Sequence, residues 1–217
     1  MNDELNPSQK IYMDIPLEQV PISDSARVAE MFLDAFAENK IARFLSAKSK
    51  DGEDAVEENF RLAVERAYVN GVVFRTSKKF EGAAVWFLNG FAKSNLLINM
   101  RILRFMLGQF RLRDISKLTQ FYLQVERAHK RIMRRPHYYL ELLGVGRRFQ
   151  GQGFGSYLMK PVLAHADQNR KCCYLETQTS KNVAMYEHFG FKVTDTIPSP
   201  ISNGTYYLML RKPKSGK

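Results

Sequence analysis

Residues 139–160 read YLELLGVGRRFQGQGFGSYLMK, with three alternate glycines, Gly151, Gly153 and Gly155, near the centre. The run before them, HYYLELLGV over 137–145, is aromatic and apolar and predicts a strand ending at Gly144–Gly146. The run after them predicts a helix over about 153–169. Five of the thirteen glycines fall between Gly144 and Gly155, so the concentration is local. A strand, a glycine turn and a helix N-terminus form an anion cradle, because glycine lets backbone N–H groups approach a phosphate and the helix dipole adds positive charge. Two nucleotide templates fail on spacing. A dinucleotide fingerprint from Gly151 needs a glycine where Ser156 stands, and a P-loop needs Gly-Lys where Ser156-Tyr157 stand. A tight turn with no ligand is the other reading.

Outward from this loop the order of elements is regular. Val28, Met31, Phe32, Ala35 and Phe36 follow helical spacing after Ser25, a candidate N-cap. DAVEENFRLAVERAYVNG is a second amphipathic helix, closed by Asn70-Gly71. VVFRTS and GAAVWFL predict an antiparallel pair turning at Lys78–Glu81. Two helices are expected over 95–135, broken near Gly108–Asp114. After the loop helix come a strand, CCYLETQT, a short helix, NVAMYEHFG, ended by Gly190, and the strands FKVTDTI and TYYLMLRK. Pro198, Pro200 and Asn203-Gly204 supply turn chemistry between those strands. No internal repeat or linker divides the chain. One α/β (α+β) domain over 1–217 is expected, a mixed sheet with helices on both faces.

The net charge is +11, and it is uneven: ten Lys/Arg stand against Asp114 and Glu126 alone between Arg101 and Arg135. Such a face can attract nucleic acid, an anionic membrane or a phosphorylated cofactor, or it can simply face solvent. A nucleic-acid role is not favoured, because the stretch lacks an aromatic-interleaved RNA-binding motif. Leu96, Leu97, Met100, Leu103, Met106 and Leu107 read as core positions rather than a membrane face. No run approaches a membrane span of roughly 20 residues, and the N-terminus has no signal-peptide layout. A cytoplasmic location is therefore expected. Cys172 and Cys173, adjacent on a strand, point to opposite faces and read as reduced thiols, too few for a metal site.

Gln150-Gly151-Gln152-Gly153-Phe154-Gly155 fits the Gln/Arg-x-x-Gly-x-Gly/Ala signature, and the chain resembles the GNAT superfamily of N-acetyltransferases. YLELLGV before the loop and LETQTSKNVAMYEHFGFKV after it resemble the next family segments in order. Over about 136–193 the nearest resemblance is to puromycin N-acetyltransferase-like members. The resemblance implies a V-shaped splay between the two central parallel strands, and acetyl-CoA as cofactor. It assigns the pyrophosphate to the backbone of Gly151, Gln152, Gly153, Phe154, Gly155 and Ser156, with Gln150 in the signature. The pantetheine arm then runs beside Leu143, Gly144 and Val145, and Asn182 bonds it, although Asn182 could also be an N-cap. Arg147 and Arg148 are candidates for phosphate contacts. Tyr186 matches the family's acid, which protonates the leaving thiolate; by residue type alone it would read as core.

The base is open. Glu141, on the face of Tyr139 and Leu143 if the strand is regular, and Glu176, at the end of the second cleft strand, are both candidates. The family's usual glutamate position holds Tyr139, so Glu141 departs from the pattern. His137 is a weaker alternative. The 95–135 region is expected to wall the acceptor pocket. The expected activity is acetylation of a primary amine of a small molecule by a monomer or homodimer. Acetylation of a protein amine and a non-catalytic CoA-binding regulator are the alternatives.

Overall fold

β2 (Gly71–Arg75) and β3 (Gly82–Phe87) are buried at every position, which requires helical cover on both faces of their sheet. The computed structural model describes residues 14–87, 95–201 and 204–214. Leu88, expected to end the second strand, and Asn203 lie outside the described residues. In chain order follow β1 (Glu18–Gln19), α1 (Ser25–Ala35), α2 (Lys40–Lys48), α3 (Glu53–Asn70), β2, β3, α4 (Leu96–Gln109) and α5 (Leu112–Ile132). The second half holds β4 (Tyr138–Val145), α6 (Phe154–Gln168), β5 (Cys173–Thr177), α7 (Ser180–His188), β6 (Lys192–Ser199) and β7 (Gly204–Arg211). The sheet has the order β1-β2-β3-β4-β5-β7-β6, antiparallel except for the β4–β5 pair.

Each face of the sheet buries its own core. On one side α1, α2, α3 and α5 cover Val73, Ala83, Val85, Phe87, Tyr174 and Leu208. On the other, α6 sets Leu158, Met159, Val162 and Ala166 against Phe74, Trp86, Leu140, Leu175 and Met209. Burial of these side chains is the main stabilising term, at roughly 1.5–3 kcal/mol for each large one.

The parallel contact is short. Tyr138, Tyr139 and Leu140 face Cys173, Tyr174 and Leu175, and no further pair follows. β4 continues to Val145 along β3, and β5 continues to Thr177 along β7. The sheet therefore parts after Leu140 and Leu175. At this fork β4 carries a bulge: Trp86 faces Leu140 and Val85 faces Leu142, so Glu141 is the extra residue. The bulge puts Leu142 on the Tyr139 side and Leu143 with Leu140 on the α6 side. A regular strand would have placed Leu143 on the Tyr139 face with Glu141; the bulge corrects that expectation for Leu143, while Glu141 stays on that side and meets Arg66.

Other local expectations change too. Asp24, not Ser25, precedes the first turn of α1, without a side-chain cap bond. Thr179 caps α7 by accepting from the Asn182 N–H at 3.2 Å, so Asn182 is inside the helix rather than its cap. Pro198 lies within β6, where the strand forms the sheet edge and a missing N–H is tolerated. β1 and α2 carry too little periodicity to be read from sequence. The outer side of α4 overturns its reading as core: Leu96 and Leu97 are 73% exposed, and Met100, Leu103 and Leu107 are also exposed. Met106 alone of that set packs inward, beside Phe105. Both cysteines are free thiols, Cys173 buried on the α6 side. No described helix is long and apolar enough to cross a membrane.

Candidate active site

The glycine loop takes its shape from two residues. Gly151 (φ 79°) and Gly153 (φ 88°) occupy the left-handed region, where a side chain is strained. Gly153 directly precedes α6, whose first intrahelical bond runs from Tyr157 N–H to the Gly153 carbonyl at 3.0 Å. The N–H groups of Phe154, Gly155 and Ser156 are thus left without helical partners, and no side chain caps them. A Cβ added at Gly151, Gly153 or Gly155 would meet nothing within 4 Å, so the cradle opens outward. Gln150 donates to the Val145 carbonyl at 3.1 Å and Gln152 to the Arg148 carbonyl at 3.0 Å, tying the loop to the end of β4.

Of the two arginines, Arg147 is already held. Its Nε and its backbone N–H each lie 2.7 Å from the Asp34 carboxylate on α1. These bonds hold the Asp34 carboxyl below the ordinary carboxylate range. Arg148 is exposed and stacks its guanidinium over Phe149 at 4.5 Å. A cleft of about 610 Å³ lies on this side, lined by Arg27, Lys79, Arg147, Arg148, Asp34 and neighbours.

Leu143, Gly144 and Val145 follow the fork on β4. Gly144 is explained by packing: a Cβ there would come within 2.6 Å of the Phe32 ring. The absent side chain lets α1 lie directly on the strand.

On the α1–α3–α5 side of the fork, polar groups converge from five elements: Arg66 (α3), Tyr122 and His129 (α5), Tyr139 and Glu141 (β4), Tyr174 and Glu176 (β5) and Tyr206 (β7). Glu141, turned out by the bulge, pairs with Arg66. Burial lowers the proton affinity of the Arg66 guanidinium. Glu176 is 5% exposed at the end of β5. Burial pushes its carboxyl up to about 7, while the phenols of Tyr139 and Tyr174 pull it back in part. Oε1 of Glu176 makes no hydrogen bond, nor do Oε2 of Glu141, Nε of Arg66 or the Tyr174 hydroxyl. Orphaned buried polar atoms are rare in a finished core. Four at one fork are hydrogen-bonding capacity left open to a polar guest.

Tyr186 sits on α7 and packs edge-on to Phe191 at 5.9 Å. Burial raises its phenol well above the ordinary value, so it keeps its proton at physiological pH. It packs on the α6 side of the sheet, and both it and Glu176 act electrostatically on Tyr206. Asn182 lies one turn before Tyr186 on the same helix. The fork thus gathers Glu141 and Glu176, with the loop beyond the far end of β4 and Tyr186 packed on the α6 side.

Sequence reading missed Arg66 and His129. Nothing in its neighbours marks Arg66. His129 does leave a signal: it extends the stripe Leu118, Phe121, Val125 that α5 buries, where a histidine is unusual.

The model of the acetyltransferase (GNAT) family matches residues 116–191, which include β4, the loop, β5 and α7. An uncharacterised N-acetyltransferase of Schizosaccharomyces pombe is 26% identical over 208 residues, covering 91% of this chain and 83% of its own. A histone acetyltransferase HPA2 and related acetyltransferase from Corynebacterium glutamicum superposes with a TM-score of 0.62 at 19% identity, over 94% of this chain and 99% of that one. Arylalkylamine N-acetyltransferase 2 of Aedes aegypti has a TM-score of 0.60 at 13% identity, over 91% and 98%. The fold is that of solved acetyltransferases, and residues 116–191 are similar to the acetyltransferase (GNAT) family, whose members use acetyl-CoA.

Proposed function

We propose that the chain moves the acetyl group of acetyl-CoA to a primary amine of a small molecule, by direct attack within a ternary complex. One observation carries this reading: a fully buried carboxyl, Glu176, with an unpartnered oxygen and a proton affinity near neutrality, at the point where two parallel strands part. An ammonium group entering the fork would meet that oxygen, and deprotonation by Glu176 would free its lone pair for attack. Glu141, engaged by Arg66, is assigned to shaping the pocket rather than to taking the proton.

The residues present fit the cofactor. Phe154, Gly155 and Ser156 offer N–H groups, Gly151 to Gly153 provide an open approach, and Arg148 is the unengaged cation beside them. Leu143–Val145, paired with β3 but not with β5, can bond an amide-bearing arm on its open side, and Asn182 is assigned to the same arm. When bound, the cofactor supplies the acyl thioester. Tyr186, its phenol kept protonated by burial, donates to the leaving sulfur.

The acceptor is read as small because α5 closes the fork and leaves Glu176 buried. The exposed flank of Tyr122 marks the way in. The resemblance of 136–193 to puromycin-type enzymes favours an aminonucleoside-like amine, and the likeness to an arylalkylamine enzyme favours an aromatic one. The 95–135 region is read as the wall of that pocket. A thiol-release screen over aminonucleosides, arylalkylamines, polyamines and lysine peptides tests this. Turnover of small aromatic amines is expected. Turnover confined to peptides would move the protein-amine reading ahead, and acetyl-CoA binding without turnover on any amine would favour the regulator.

A further inference from the structure

Behind Glu176 runs a file of ring nitrogens that the acetyl-transfer scheme leaves unused. The carbonyl oxygen of Arg135 lies 2.8 Å from Nδ1 of His137, and a carbonyl can only accept. His137 therefore carries its proton on Nδ1. Burial holds His137 neutral, so its Nε2 is a lone pair. Nε2 of His129 lies 2.7 Å from it and must be the donor. His129 is also held neutral, chiefly by burial and then by His137 and Lys130. Its Nδ1 is consequently a lone pair as well, and it faces Oε1 of Glu176 at 3.7 Å. The ring is fixed in this attitude by stacking on Tyr174, with centroids 3.9 Å apart and planes 18° apart.

Two lone pairs facing each other repel unless a proton comes between them. We infer that His129, its tautomer locked by His137 and the Arg135 carbonyl, is a positioning residue that sets Glu176 to take the proton of the incoming amine. This rests on Glu176 as the base. The aminium N–H bond breaks, its electron pair stays on nitrogen, and an O–H bond forms at Glu176. The resulting carboxylic acid then donates to Nδ1 of His129, and the proton leaves to water after product release.

Every other group facing Glu176 acts in the opposite sense or only indirectly. Tyr139 (β4) is a donor that favours the ionised form, and the nearby phenol of Tyr174 (β5) acts in the same sense. Tyr206 (β7) and Tyr122 (α5) are phenols that burial keeps protonated. Arg66 (α3) acts on the cluster through Tyr139 and Tyr122, and Tyr186 (α7) through Tyr206. Of these neighbours, only the locked imidazole is a pure acceptor. Its role is to keep the carboxylate basic among so many donors.

The test uses the full chain. Long-range ¹H–¹⁵N NMR of the wild type should show both histidines neutral between about pH 6 and 8, with His129 protonated at Nε2 and His137 at Nδ1. A proton on Nδ1 of His129 overturns the inference. His129→Phe keeps the stack on Tyr174 but removes the acceptor. The midpoint of kcat/KM against pH should then fall by about one unit, and the plateau by about tenfold, with acetyl-CoA affinity unchanged. His137→Phe, which unlocks the tautomer, should move the midpoint the same way. A merely structural role would lower the rate at every pH and leave the midpoint in place, which also overturns the inference. Glu176→Gln separates the two readings. If it retains turnover, the base assignment fails. If it loses turnover while the His129→Phe midpoint stays put, only the role of His129 fails. Should either histidine variant not fold, the wild-type tautomers decide.

Discussion

In the proposed scheme Tyr186 and Glu176 divide the proton traffic by environment alone. Both are buried, but burial leaves a phenol protonated and a carboxyl poised near neutrality. Tyr186→Phe should lower kcat by about 10²-fold and leave the acetyl-CoA dissociation constant within a factor of about two. Steady-state rates with calorimetric titration check both numbers. Gly153 is a second residue whose role is local. Gly153→Ala forces a Cβ into a φ of 88° and should cost about 1–2 kcal/mol in thermal denaturation, although the space around it is open. This residue was legible in the sequence because a left-handed turn before a helix calls for glycine. The facing of Leu143 was not, because one inserted residue at the bulge reverses the alternation on which any reading of faces depends. The pairing of Glu141 with Arg66 was equally hidden, since it joins residues far apart along the chain.

α4 and α5 enter the chain between two strands, β3 and β4, that are themselves paired in the sheet. Of these two helices only α5 is fully built into the molecule. Leu118, Phe121, Val125 and Ala128 dock on the sheet, with Phe121 edge-on to Tyr206 at 5.2 Å. α4 buries no residue completely. Phe121→Ala should therefore cost about 3–5 kcal/mol. Leu103→Gln should change stability by no more than about 0.5 kcal/mol. Urea unfolding of the two variants compares them directly. The break between these helices was readable from Gly108 to Asp114. Which of the two would be buried was not, because both have apolar residues at helical spacing. The difference is set by the sheet beneath them, and composition does not report it.

For the whole molecule, the buried carboxyl of Glu176 links stability to pH. Its folded proton affinity lies above that of the unfolded chain, near 7 against an ordinary 4.5. Between those values the folded state holds more protons than the unfolded one, so stability falls as pH rises from about 4.5 to 7 and then levels. Glu176→Gln should be more stable than the wild type at pH 8, by about 3 kcal/mol, and indistinguishable at pH 4. Melting curves across that range test the sign. A second long-range tie is Arg211, buried on β7, whose guanidinium meets both oxygens of Asp167 at 2.8 and 2.6 Å and the Phe189 carbonyl at 3.0 Å. It fastens α6 and the end of α7 to the last strand.

The fork between β4 and β5 has one further consequence, for where this sheet can grow. One outer border is β1, two residues long, and the other is β6, interrupted by Pro198. Short strands and proline are poor templates for an intruding chain, so neither border invites a neighbouring molecule to extend the sheet. The hydrogen-bonding groups that remain open along a strand lie instead between β4 and β5, inside the molecule, where only something as slender as a single extended chain can reach them.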